Sequence, residues 1–255
     1  MPSIAAIMPK SLELYGCMTP NVLKILFMLA ETGLPYRLSH VRVYRGETFA
    51  DGFDKLHPYR KLPVLIDHAG PSDAPHRVFE SGAILTYLAD KTGQFQGSDA
   101  AQRSCVMQWL MLQMSSVGPI FGHATHFHRA MPDAVYARRR FTTQAIRLCD
   151  LYDARLKSTP FIAGNFFSIA DMATFPWLWK HPGILGIDIA RYPNLHRWIE
   201  RIRARPAFAR AQEAYKPMVD VDRADVASAD PDTIDRILGR NDWFLDDGAM
   251  EPPIS

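Results

Sequence analysis

Two neighbouring motifs decide the fold: Lys61-Leu62-Pro63-Val64-Leu65-Ile66-Asp67 and Phe79-Glu80-Ser81-Gly82. Pro63 heads an apolar run that predicts a strand, a position where proline is tolerated because no ladder donor is needed. The Leu62-Pro63 bond is also a natural place for a cis peptide. If it is cis, the Leu62 backbone stays unpaired, and the peptide group of a ligand can pair with it as an added strand would.

The second motif predicts the start of a helix. Ser81 is expected to be its N-cap, with Ile84, Leu85 and Leu88 on the buried face. The N-terminus of a helix offers unpaired N–H groups and the positive end of a dipole, so it binds a carboxylate readily. Each motif alone is more often an ordinary strand start or an ordinary cap. In this order, the pair predicts a pocket for a small peptide with a free carboxylate.

The composition restricts the class of protein. The chain has 255 residues, a mass of 28.8 kDa and a net charge of +2, which is too small to indicate nucleic-acid binding by itself. Its three scattered cysteines (Cys17, Cys105 and Cys149) favour a reducing compartment. The first ten residues lack the features of a signal peptide, and no apolar run reaches membrane-spanning length. We expect a cytoplasmic protein with neither nucleic acid nor membrane as a partner.

The first ninety residues alternate between strand and helix patterns. Thr19, Pro20 and Gly33 mark the N-cap, first position and end of a helix whose buried stripe is Val22, Ile25, Leu26 and Leu29. A weak helix or irregular segment is expected at 49–57. Strands are predicted at 12–15, 36–43, 64–67 and 77–80. The order β-α-β-α-β-β-α predicts a mixed sheet with helices on its faces.

The rest of the chain has helical patterns. One helix should stop at Gly118-Pro119, a long one should follow at 134–157, and Ser168 with Asp171 resembles a capping box. Later helices are predicted at 192–205 and 206–215, followed by a mostly irregular tail with one short docking segment. The apolar residues of the tail that could dock are Ile234, Ile237, Leu238, Trp243 and Phe244. The predicted domains are therefore 1–93, 100–216 and a tail at 217–255.

These motifs resemble those of the cytosolic glutathione transferases. The likeness covers residues 12–215 and is strongest at Lys61-Leu62-Pro63, at 79–84 and at 168–171. The Thr19-Pro20-Asn21 sequence is similar to the signature of the bacterial Nu class, which includes disulfide-bond reductases. Further likeness to that class lies at Gln108-Trp109-Leu110, Gly118-Pro119, His126-Phe127 and 136–140. The resemblance implies an α/β thioredoxin-like N-terminal domain and an all-α C-terminal helical domain.

The resemblance also implies roles for individual residues. Leu62, followed by Pro63, would pair through its backbone with the cysteinyl part of glutathione, and Glu80 and Ser81 would hold the γ-glutamyl end. The same family pattern places Thr19 and Asn21 beside the thiol, and Arg140 would reach the site from the helical domain. Glutathione would be a co-substrate, no metal is implied, and the protein would be a homodimer.

Thr19 suits the activation of a thiol, because its hydroxyl can donate to a thiolate at the positive end of a helix. A pure capping role for Thr19 is the simpler alternative, as is a solvated position for Asn21. Cys17 is a rival nucleophile near the same helix, although a plain loop cysteine is the more common case. Tyr15 is another candidate for the catalytic group, but its position is more typical of a packing residue.

His123, His126 and His128 fit no standard zinc pattern. We expect the histidines of this segment to line a second-substrate pocket or a solvent face. The candidate lining residues of that pocket are Met111, Met114, His126 and Phe127. Methionines and aromatic rings make such a pocket apolar and adaptable without specifying its ligand.

The sequence therefore predicts a Nu-like glutathione transferase that acts on small electrophiles or disulfides. Its thiolate chemistry would be reduction of disulfides or peroxides, or conjugation. The alternative is a non-catalytic module with the same fold, used for regulation or interaction. Retention of Thr19, Leu62, Glu80 and Ser81 together favours the enzyme. We further expect the tail after Tyr215 to pack near the domain cleft and to narrow access for bulky substrates, with a functionally silent strap as the alternative.

Overall fold

A computed structural model describes residues 12–71 and 74–240. Within them the chain folds into a mixed sheet with flanking helices, followed by a helical unit. The strands are β1 Leu12–Gly16, β2 Tyr36–His40, β3 Val64–Asp67 and β4 His76–Phe79. The helices are α1 Pro20–Thr32, α2 Ser81–Thr92, α3 Ala100–Leu112, α4 Gly118–Arg129, α5 Val135–Leu156, α6 Ile169–Ile184, α7 Pro193–Arg203, α8 Pro206–Ala227 and α9 Pro231–Leu238.

The sheet has the strand order β2-β1-β3-β4. β1 pairs with β2 in parallel and with β3 antiparallel, so that Leu14 lies between Leu38 and Leu65. β3 and β4 form the antiparallel pair that carries Pro63 and Glu80 at the same end. A thioredoxin-like unit followed by an all-α unit, as predicted, is the observed fold; the domain boundaries remain predictions.

Helix α1 is the centre of the core. Every residue from Val22 to Leu29 is buried, because α2, α6 and α8 all pack against this helix. The Phe27 ring contacts Phe175 of α6 and Phe208 of α8, with centroids 6.3 and 5.4 Å away. The predicted stripe of α1 is thus confirmed, but the buried surface extends all round the helix.

The expected helix stop at Gly118-Pro119 is wrong. Residues Gln113–Val117 form a π-helical segment that joins α3 directly to α4. Gly118 donates its N–H to the Gln113 carbonyl five residues earlier, and Pro119 takes up a position in the first turn of α4. The missing N–H of proline costs little there, so the chain stays helical.

The predicted capping box at the start of α6 is confirmed. Ser168 Oγ accepts from the Ala170 N–H at 3.3 Å, and Asp171 Oδ2 accepts from the Ser168 N–H at 3.1 Å. Asp171 Oδ1 also accepts from Trp198 Nε1 at 2.8 Å, which joins α6 to α7. Helix α6 continues through Pro176 and Pro182. Its Trp177 side chain lies against the first turn of α1.

The largest difference from the predicted secondary structure lies after residue 205. We expected a helix at 206–215 and a mostly irregular tail, whereas α8 runs through Pro217 to Ala227 and α9 follows. Tertiary contacts explain the extension, because Met218, Asp222 and Asp225 are buried against the first unit. Residues Trp243 and Phe244, which were expected to dock, lie outside the described residues.

Strand β2 also ends earlier than predicted, at His40. Val41 still donates its N–H to the Gly16 carbonyl, but short 3-10 turns replace the strand from Val43 onward. Arg42 and Arg45 both pair with Asp225, which joins this segment to α8. Across the described ranges, no helix has the length and apolar character needed to cross a membrane.

Candidate functional site

The peptide bond between Leu62 and Pro63 is cis, immediately before β3. Leu62 is half-buried and Pro63 is buried. The ladder with β4 begins one residue later, at Val64, and among the described residues no backbone hydrogen bond involves Leu62. The N–H and C=O of Leu62 are therefore free to pair with the peptide group of a ligand.

Ser81 is not the N-cap of α2, contrary to the prediction. Glu80 occupies that position with a φ of 69°, and Ser81 is the first helical residue. A positive φ at a residue other than glycine is uncommon and places Glu80 on the exposed side of the turn. Since no side chain caps α2, its first N–H groups remain available to an anion beside Ser81.

A buried histidine lies behind Glu80. Tyr59 donates its backbone N–H to His57 Nδ1 at 3.0 Å, so the proton of the neutral ring is on Nε2. That nitrogen lies 3.9 Å from Glu80 Oε1, and burial lowers the pKa of His57. The neutral ring, packed on Phe79, therefore directs an N–H towards the Glu80 carboxylate.

Sequence reasoning missed Lys24, which lies beneath Ser81. Its side chain is 1% exposed, and Nζ donates to Ser81 Oγ at 3.2 Å and to Gln113 Oε1 at 2.8 Å. Burial lowers the pKa of this amine to about 7, although the charge of Glu80 acts in the opposite direction. The available signal was a single lysine within the apolar run of α1, an arrangement that is rare unless the charge has a partner.

Thr19 is the N-cap of α1, as predicted. Its Oγ1 accepts from the Val22 N–H at 3.3 Å, which leaves the hydroxyl proton free to donate elsewhere. Asn21 lies in the first turn of the same helix, and its Oδ1 accepts from Trp177 Nε1 at 3.1 Å. An indole nitrogen only donates, so the Asn21 amide is fixed with its NH₂ group free.

Cys17 lies just before this helix and is 5% exposed. Burial, together with the negative charge of Asp222, raises the pKa of its thiol to about 12. Since a nucleophilic cysteine must be a thiolate, a thiol that stays protonated at neutral pH disfavours Cys17 as the nucleophile. Burial likewise raises the pKa of Tyr15, whose partner is Glu13. Thr19 and Asn21 thus present the free donors of this region.

The remaining predicted residues lie in three different places. Met114 packs beside Ser81 and Gly82, with its sulfur 3.8 Å from both Ser81 Oγ and Lys24 Nζ. Met111 is exposed on α3, and the Phe127 ring stacks on Phe141 of α5 beside His126. Within the described residues, no group of three or more His, Cys, Asp or Glu side chains is placed to hold a metal ion.

Arg140 is exposed on α5 and lines an open groove of about 1170 Å³ between α4 and α5. The same groove includes Ile120, Tyr136 and Leu151, but neither Leu62 nor Ser81. Within the described ranges no hydrogen bond or ion pair joins Arg140 to Glu80 or Ser81. The structure therefore brings Ser81, Met114 and Lys24 together and leaves Arg140 apart from them.

Comparison with known proteins follows the same division of the chain. Residues 10–90 match the family described as glutathione S-transferase, N-terminal domain. Residues 124–206 match glutathione S-transferase, C-terminal domain. The second match ends at Pro206, the first residue of α8, so the rest of α8 and all of α9 lie beyond it.

Similar proteins include two from Escherichia coli (strain K12). The chain is 40% identical over 205 residues to Disulfide-bond oxidoreductase YfcG, covering 78% of this chain and 94% of that protein. It is 37% identical over 216 residues to Disulfide-bond oxidoreductase YghU, covering 79% of this chain and 74% of that protein. Both names agree with the disulfide-bond reductase type that the sequence motifs resemble.

Several similar solved structures contain glutathione or its disulfide. A glutathione transferase from Burkholderia graminis with two glutathione molecules bound per subunit has a TM-score of 0.76 and 40% identity, covering 81% of this chain and 89% of that one. One from Pseudomonas putida with one glutathione disulfide bound per subunit has a TM-score of 0.75 and 34% identity, covering 81% of this chain and 92% of that one. The chain described here therefore belongs to the glutathione S-transferase family.

Proposed function

We propose that this protein binds glutathione between Leu62 and the N-terminus of α2 and uses its thiolate to reduce small disulfides. The observation that carries the proposal is the set of free polar groups at the site. Leu62 offers an unpaired backbone, and α2 offers uncapped N–H groups beside Ser81. Thr19 and Asn21 each have an engaged acceptor and a free donor. These groups match the peptide, the carboxylate and the thiolate of one glutathione molecule.

The chemistry is thiol–disulfide exchange. The glutathione thiolate attacks one sulfur of the substrate disulfide, a new S–S bond forms, and the other sulfur leaves as a thiolate that takes up a proton. A second glutathione thiolate then attacks the mixed disulfide, giving glutathione disulfide and the second substrate thiol. The donors of Thr19 and Asn21 stabilise the attacking anion, and the protonated Cys17 takes no part. The names of the two Escherichia coli relatives support this reaction over conjugation.

A comparison of three substrate classes tests this proposal. Turnover of a symmetric disulfide of 2-mercaptoethanol, coupled to reduction of glutathione disulfide, should greatly exceed turnover of an organic hydroperoxide or an aryl halide. Higher activity with the hydroperoxide or the aryl halide would replace disulfide reduction with peroxide reduction or conjugation. Glutathione binding without turnover of any class would favour a non-catalytic module.

We also propose that the protein is a homodimer assembled through the groove between α4 and α5. The groove presents Val135, Tyr136 and Leu151 to solvent. A contiguous exposed apolar surface of this kind is typical of an interface, and a second copy can cover it by two-fold symmetry. The resemblance to dimeric glutathione transferases supports the same occupant.

Sedimentation of two tyrosine variants tests the dimer. Tyr136 and Tyr59 are equally exposed, but only Tyr136 lines the groove. Tyr136→Glu should shift the protein towards monomer, whereas Tyr59→Glu should leave the sedimentation coefficient unchanged. A monomeric wild-type protein, or equal behaviour of the two variants, would contradict the proposed interface.

A further inference from the structure

The amine of Lys24 has no acidic hydrogen-bond partner. Its neighbours are the hydroxyl of Ser81, the amide oxygen of Gln113 and, more distantly, the sulfur of Met114. The Gln113 amide directs its oxygen to Lys24, and its buried Nε2 has no hydrogen-bond partner within the described part of the chain. An ammonium group buried among neutral groups is unfavourable unless an anion compensates its charge.

Lys24 also determines which role the Ser81 hydroxyl plays in hydrogen bonding. An amine hydrogen directed at Ser81 Oγ makes that oxygen the acceptor, so the Ser81 hydroxyl must donate in another direction. Ser81 is 3% exposed and begins α2, where the uncapped N–H groups lie. In the free protein this hydroxyl donates to Met114 Sδ at 3.8 Å. A thioether sulfur is a weak acceptor, so a carboxylate attracted by the N–H groups of α2 can replace it as the acceptor of the Ser81 proton.

We propose that Lys24 is a positioning residue of the γ-glutamyl site, which orients the Ser81 hydroxyl as a donor and places a buried positive charge behind the bound carboxylate. This inference rests on the proposed binding of glutathione and adds a residue to it. The carboxylate supplies the anion that the free protein lacks beside Lys24. Glu80, the charged group that acts on Lys24, is exposed and is expected to hold the ligand's amino group instead.

Proton uptake on binding follows from this arrangement. With a pKa of about 7, the free amine is only about one-tenth charged at pH 8. A bound carboxylate favours the charged form and raises that pKa, so binding at pH 8 must take up a proton. Other groups around the amine do not compete, because Ser81, Gln113 and Met114 do not titrate near pH 8 and burial keeps His57 neutral.

Titration calorimetry with S-methylglutathione tests the proposal, because this ligand has no thiol proton to lose. At pH 8 the wild type should take up about 0.5–0.9 proton per ligand, measured from the binding heats in phosphate and Tris. Lys24→Met, which keeps an unbranched side chain but removes the amine, should abolish the uptake and weaken binding about tenfold or more. Lys157→Met, at an exposed lysine after α5, should behave like the wild type.

The results separate this inference from the proposed function. Binding by the wild type without proton uptake would overturn the role of Lys24 and leave glutathione binding intact; this measurement needs no variant to fold. Equal affinity of a folded Lys24→Met protein would also overturn it. Failure of the wild type to bind S-methylglutathione would overturn both the role of Lys24 and the glutathione site.

Discussion

The backbone N–H of Met18 donates to Asp222 Oδ2 at 2.5 Å, and thereby joins the loop before Thr19 to the extended helix α8. The other oxygen of Asp222 lies 2.8 Å from His40 Nε2 at the end of β2. Asp222 itself is fully buried. One carboxylate of the helical unit therefore fixes two segments of the sheet unit beside the candidate site.

Replacement of Asp222 by alanine should destabilise the protein and slow the reaction. Loss of two hydrogen bonds to a buried carboxylate should lower the free energy of unfolding by about 2–4 kcal/mol. Turnover should also fall, because the loop that positions Thr19 loses its anchor. Asp220→Ala, at an exposed position of the same helix, should change the free energy of unfolding by less than about 0.5 kcal/mol. Equal denaturant midpoints for the two variants would contradict the anchoring role.

Two truncated chains distinguish the contribution of α8 from that of α9. A chain that ends after Tyr215 loses Asp222 and Asp225, and should melt at a lower temperature and react more slowly than the full chain. A chain that ends after Ser228 keeps both carboxylates, and should retain the melting temperature within a few degrees. The prediction that the tail narrows access for bulky substrates is then tested with the chain that ends after Ser228. An unchanged ranking of small and bulky disulfides there would identify α9 as a silent strap.

Thr19→Ala should raise the pKa of the bound thiol and slow turnover at neutral pH, with partial recovery as the pH rises. Loss of the N-cap should also cost about 1 kcal/mol of stability, so Thr19→Ser is the matched control that keeps both functions. Cys17→Ala should leave activity nearly unchanged, because that thiol is not ionised. An inactive Cys17→Ala beside a fully active Thr19→Ala would instead favour a cysteine nucleophile.

Trp177→Phe removes the donor that fixes the amide of Asn21. The released amide can rotate, so kcat should fall about fivefold to thirtyfold, corresponding to about 1–2 kcal/mol, with little change in KM for glutathione. Trp179→Phe, on the same helix but stacked on Phe175, serves as the control and should keep kcat. Parallel losses in both variants would indicate general damage to α6 rather than a role through Asn21.

Ser81→Ala should weaken glutathione binding by about 1–2 kcal/mol, because the carboxylate loses a hydrogen bond and Lys24 loses one of its two oxygen acceptors. Titration calorimetry measures the difference directly. Ser104→Ala, at an exposed serine of α3, should bind with unchanged affinity. Equal affinities of the folded wild type and Ser81→Ala would exclude Ser81 from the site.

Local signals in the sequence predicted the main frame of the molecule. The cap at Thr19, the capping box at Ser168 and Asp171, and the position of Pro63 before a strand depend on neighbouring residues and are all observed. The resemblance to glutathione transferases, drawn from these motifs, is confirmed by the comparisons. The assignment of Ser81 as a cap failed because the positive φ of Glu80 moves the helix start by one residue, which composition alone does not reveal.

The features that the sequence did not predict depend on distant partners. Pro217 and the acidic residues after it are typical of a helix end and a solvated tail, but Asp225 is buried against Arg42 and Arg45. These pairs span most of the chain, and no local pattern indicates them. The same is true of Lys24, whose partners Ser81 and Gln113 come from other helices.

The extended helix α8 makes the two units of this protein poor candidates for exchange. A chimaera joining this sheet unit to the helical unit of a relative without Asp222 and Asp225 would leave Arg42, Arg45 and the Met18 N–H without their carboxylates. The converse chimaera, with a sheet unit that lacks Arg42 and Arg45, would bury the Asp225 carboxylate with no cation opposite it, which is costlier still. Recombination within the family is thus constrained by the match between Arg42, Arg45 and Asp225, side chains that belong to none of the motifs from which the fold was predicted.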